Sequence, residues 1–171
     1  MSESVANRLR GLLASDVYTE KGRLRSDDLL VRQRVSHGLG EATTKLKQLI
    51  SDYRASSVPP STREQPFPPA GVMEPIRRAE RLLRSMTDLS TLINGLPVMN
   101  QDRVWKRVGR GIGLEELLQF DWTLVGEADA LATAASDWGA LDEVDVADTE
   151  ARLKRIRDVA ADRRRYLDIQ A

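Results

Sequence analysis

The sequence predicts an all-α fold: a mostly antiparallel bundle of four main helices, with short accessory helices and one Pro-rich connector. Three observations carry this. Apolar residues recur at three- and four-residue steps through four long segments. Each segment has helix punctuation at its ends. No stretch shows the period-two alternation of a half-buried strand over a useful length, although an average globular chain would be about 20–25% strand.

Taken in order, residues 3–15 read as a short amphipathic helix with Val5, Leu9, Leu12 and Leu13 on one face and Ser2 as N-cap. Residues 16–25 form a connector, in which Val17-Tyr18-Thr19 and Arg23-Leu24 flank Glu20-Lys21-Gly22 as a small hairpin. Ser26-Asp27-Asp28 then opens the second helix, with a capping serine and two acids where the helix dipole favours them. Its seam is Val35, Leu39, Ala42, Leu46, Leu49 and Tyr53. Gly38 and Gly40 lower its propensity by about 1 kcal/mol each, so they mark a kink or a close helix crossing. The apolar phase carries through them, which favours one continuous helix.

Residues 55–71 hold five of the seven prolines and read as an extended, polyproline-like strap with Phe67 tucked against the helices. The third helix spans about 72–94, with Val72, Ile76, Ala79, Leu83, Met86, Leu89 and Ile93 inward and Pro75 in the first turn. Asn94-Gly95-Leu96-Pro97 stops it, with Gly95 at the position that favours a left-handed residue. A short helix over 101–108 carries Val104, Trp105 and Val108.

The fourth main segment, Leu114 to Trp138, is the most apolar long stretch and reads as the helix the others pack against. One stripe runs through Leu114, Leu118, Val125, Ala128, Ala132 and Ala135. A second runs through Leu117, Phe120, Leu124, Ala128, Leu131, Ala135 and Trp138. Asp121 falls on this apolar phase, and a buried acid needs a partner, ordinarily an arginine from a neighbouring helix. The last helix starts near Asp145 and turns Val146, Leu153, Ile156, Val159, Ala160 and Leu167 inward. Arg163-Arg164-Arg165 suit its C-terminal dipole.

All 171 residues are expected to form one domain, long enough to bury a core without staples. The 26 basic and 26 acidic residues cancel, so no global attraction to nucleic acid follows. Having no cysteine removes disulfides, thiol nucleophiles and cysteine-type zinc sites. A single histidine, His37, removes a histidine-rich metal site. Arg8 and Arg10 interrupt the first apolar stretch, which argues against a signal peptide, and no run reaches the roughly 18 apolar residues of a membrane span. The expected setting is cytoplasmic, with no cofactor and no small-molecule substrate.

Candidate sites are sparse. Arg32-Gln33-Arg34-Val35-Ser36-His37 has an arginine followed after four residues by a histidine. This resembles the motif of HEPN ribonucleases, which are also all-α. The resemblance implies Arg32 and His37 as catalytic residues that meet their symmetry mates across a dimer and cleave RNA without metal.

Gly109, Gly111 and Gly113 lead into a helix beside Lys106, Arg107 and Arg110, as a phosphate-holding corner would. Glu115 and Glu116 oppose an anion there, and a hinge is the simpler reading. Arg77, Arg78, Arg81 and Arg84 line one helix and Arg155 sits among the basic residues of another. Merged, these faces would track phosphates. Glu115, Glu116, Asp121, Glu127 and Asp129 lack the Glu-x-x-His pattern of a di-metal bundle.

Arg63-Glu64-Gln65-Pro66-Phe67-Pro68-Pro69 fits the Arg-x-x-Pro-x-x-Pro pattern that SH3 domains bind. No catalytic constellation emerges. The expectation is a non-enzymatic subunit that binds a protein partner or itself, with Phe67, Trp122 and Trp138 as interface residues. The alternatives are a nucleic-acid-binding subunit of a nucleoprotein complex and the HEPN-like ribonuclease.

Overall fold

A computed structural model describes residues 23–96 and 114–170 of the chain. They form α1 (Arg23–Ser57), α2 (Ala70–Asn94), α3 (Leu114–Asp137), a single 3-10 turn (Leu141–Glu143) and α4 (Val146–Gln170), with no strand among them. The expected short helices over 3–15 and 101–108 lie outside the described residues, as does most of the 16–25 hairpin. Arg23 and Leu24 are already helical, not part of a hairpin strand.

The helix pairing follows from named contacts. Arg54 pairs with Glu80, the Thr43 hydroxyl donates to Met86 Sδ and the Ser36 hydroxyl bonds Asn94, so α1 and α2 run antiparallel. Glu127 meets Arg152 and Arg155, while Phe120 meets Tyr166, so α3 and α4 run antiparallel too. α1 also packs on α3, and α2 on α4. These two pairs are parallel: Arg34 bonds Asp129, and Arg163 holds both Asp28 and Asp121 one or two turns earlier. Helices joined in sequence and packed together thus run antiparallel, and the other two pairs run parallel.

The core lies between the helices and takes its residues from the predicted stripes. Val35, Leu39, Ala42, Leu46 and Leu49 of α1 are buried, as are Ile76, Ala79, Met86, Leu89 and Ile93 of α2. Leu82 goes deeper than the expected Leu83, which is only partly buried. On α3 most of both stripes is buried by the chain itself, with Leu117, Leu118, Leu124, Val125, Ala128, Leu131 and Ala135 buried, Trp138 only 6% exposed, and Phe120 and Ala132 partly exposed.

α1 is one continuous helix, and Gly38 explains how. A Cβ there would lie 2.8 Å from the Ala128 carbonyl oxygen, so the glycine lets α1 and α3 cross backbone to backbone. Gly40 faces open space. α2 ends at Gly95, whose N–H donates to the Thr91 carbonyl at 2.9 Å. Its φ of −83° is right-handed, not the expected left-handed cap.

Candidate functional site

Four charged residues are buried together. Arg163 of α4 donates from Nε to Asp121 Oδ1 of α3 and from Nη2 to Asp28 Oδ1 of α1, both at 2.7 Å. Arg32 Nη2 stands 2.6 Å from Asp28 Oδ2, and its Nη1 donates to the Leu96 carbonyl just beyond α2. None of the four is more than 7% exposed, and Asp121 is fully buried. Two acids and two bases cancel, so the cluster buries no net charge. It ties all four helices together at one end.

The predicted partner of Asp121 is thus found, an arginine of a neighbouring helix. The other three members were read otherwise. Asp28 was assigned to a helix start, but α1 begins at Arg23 and has no acid in its first turn. Arg163 was matched to a helix dipole. The signal that could have found them is register: Asp28 lies one heptad before Val35, and Arg163 one heptad after Ile156, each on its helix's apolar stripe.

This geometry bears on the histidine–arginine pair. Arg32 is enclosed by the cluster, whereas His37 is exposed on another side of α1, 3.4 Å from Glu41. Five residues of helix turn two side chains by roughly 140°, so within one chain they do not converge.

The other charged candidates are mostly answered locally. Glu74 accepts from Arg78 Nε at 3.1 Å and lies 3.7 Å from Arg81. That hydrogen bond to Arg78, helped by the nearby positive charges, holds the Glu74 carboxyl below the usual range. Arg84 donates to the Glu80 carbonyl, and Arg155 lies 3.0 Å from Glu127 on the α3 side of α4. Arg77 is exposed. Lys106, Arg107 and Arg110 lie outside the described residues. Three of the α3 acids are engaged by arginines: Asp121 by Arg163, Glu127 by Arg152 and Arg155, and Asp129 by Arg34 through two bonds. Among the described residues no three metal-ligating side chains come together, and no helix is long and apolar enough to cross a membrane.

Of the three expected interface residues, Trp138 is buried within the central cluster. Trp122 is half-buried on α3. Phe67 is the one that stands out, at 82% exposed. It is not tucked against the helices as the strap reading expects.

Residues 58–69 join α1 to α2 without helix. A residue before proline is restricted to extended backbone, and Phe67 and Pro68 both precede proline. Pro69 continues this with φ −56° and ψ 140°, and its carbonyl accepts from the Val72 N–H as α2 starts. A small turn closes upstream, where the Gln65 N–H donates to Thr62 Oγ1 at 3.1 Å and the Thr62 N–H to the Gln65 carbonyl. Phe67 sits in this non-helical connector with its ring exposed.

Near the same end of α2 lies a notch of about 210 Å³. Pro75, Ala79 and Leu82 of α2 line it with Leu141, Val144 and Val146, and Arg78 and Asp142 stand at its rim. The 3-10 turn sets its far wall. Glu143 Oε2 accepts from the Gly139 and Ala140 N–H groups at 2.8 and 3.1 Å, which folds Leu141 inward. A Cβ at Gly139 would meet that carboxylate at 2.7 Å and push the Glu143 side chain aside.

No protein-family model, curated protein sequence or solved structure matches the chain.

Proposed function

We propose that the chain is a one-domain four-helix bundle serving as a non-enzymatic protein-interaction subunit, and that it meets its protein partner through Phe67. The observation that carries this reading is an aromatic ring left almost wholly in water on a proline-stiffened connector. Leaving a phenylalanine exposed forgoes about 1.5–3 kcal/mol of burial, a loss that a partner pocket would recover. Aromatic side chains dominate binding hot spots. A segment already held extended by Pro66, Pro68 and Pro69 loses little further freedom on docking.

The same reasoning moves the contact away from α3, most of whose two apolar stripes is buried by the chain's own helices. The test compares wild type with Phe67→Ala by chemical cross-linking in the producing cells and by urea unfolding. The expected result is loss of a discrete cross-linked adduct with an unchanged unfolding midpoint. An adduct pattern identical in both chains contradicts the reading.

A further inference from the structure

Resting on that reading, we infer that the partner is a second copy of this chain, with Phe67 of each protomer seated in the notch between α2 and the 3-10 turn of the other. Knob and hole are both present on one chain and both are open. A cavity of roughly 150 Å³ is enough to hold a benzene ring, so the notch of about 210 Å³ accepts a phenyl side chain. Its floor is apolar: Ala79, Leu82, Leu141 and Val144 are all buried residues of the core wall. Phe67 does not fill its own notch: it is not among the residues that line it, and its ring is left exposed.

The charges agree. Arg63, four residues before Phe67 on the exposed connector, and Asp142, at the notch rim, have no ionic partner among the described residues. A ring entering the notch brings the cation of one protomer towards the anion of the other. A two-fold axis between the copies lets both knobs enter both holes at once, which closes the assembly as a dimer with two equivalent contacts.

Sedimentation velocity over a concentration series tests this on the full chain. Wild type is expected to pass from monomer to dimer, with Phe67→Ala weakening dimerisation roughly tenfold or more. Arg63→Asp and Asp142→Arg, both at exposed positions that leave the fold intact, should each weaken it by about three- to tenfold. The double variant Arg63→Asp/Asp142→Arg should regain most of the loss, since the swapped charges meet across the interface. Wild type remaining monomeric at high micromolar concentration, or dimerisation indifferent to Phe67→Ala, overturns the inference. A monomeric chain that still forms a Phe67-dependent adduct with a different protein removes the self-partner and keeps the interaction reading. A chain showing neither removes both.

Discussion

Asp121 and Arg163 show how much one buried pair decides. Both side chains are desolvated, and their attraction to each other and to Asp28 offsets that loss. Removing one charge strands the others. Arg163→Met is therefore expected to destabilise the fold by about 3–5 kcal/mol, measured by urea unfolding. Replacing Asp28, Arg32, Asp121 and Arg163 together with apolar residues of similar volume should cost much less, because no charge is then left unpaired.

Tyr166 supplies a pH test beside this cluster. Burial, with the Glu116 charge adding to it, raises the phenol above its ordinary value of 10.0. An acid whose folded pKa is raised holds its proton longer in the folded state. Its contribution is present below the unfolded pKa and fades as pH rises through the folded one. Ultraviolet titration of wild type against Tyr166→Phe is expected to show that the variant loses a phenol ionising above the ordinary value.

At the scale of the helix, two glycines of α1 make opposite predictions. Gly38→Ala drives a Cβ into the Ala128 backbone and should destabilise by about 1–3 kcal/mol. Gly40→Ala meets nothing and should stabilise by about 0.5–1 kcal/mol, from helix propensity alone. Thermal melts of the two variants beside wild type distinguish them. Equal shifts would contradict the close α1–α3 crossing.

The two glycines also mark where sequence reading stops. Periodicity revealed the helices, their inward faces and the unbroken run of α1, because apolar spacing is a local property. Which glycine a partner helix touches depends on α3, and nothing near Gly38 in the sequence states that. The same limit explains Asp28 and Arg163. Each lay on an apolar stripe but also fitted a local explanation, a helix start or a helix dipole. Asp121 had no such local explanation, and it alone was traced to a buried partner. Phe67 was singled out by its proline neighbours, but whether it points inward or outward depends on the direction in which α2 receives the connector.

For the molecule as a whole, the described helices bury most of their apolar stripes, and Phe67 at 82% is more exposed than Leu29, Leu30 and Leu92, the other exposed large apolar residues. A surface substitution away from packing changes stability by no more than about 0.5 kcal/mol, so Phe67→Ala should leave the unfolding midpoint unmoved while association changes. The most direct measurement places a benzophenone photo-cross-linker at position 67 of the full chain and identifies what it captures. The account predicts intermolecular adducts mapped to the notch around Ala79 and Leu141 of a second copy. Adducts confined to the same chain, or none, would contradict it.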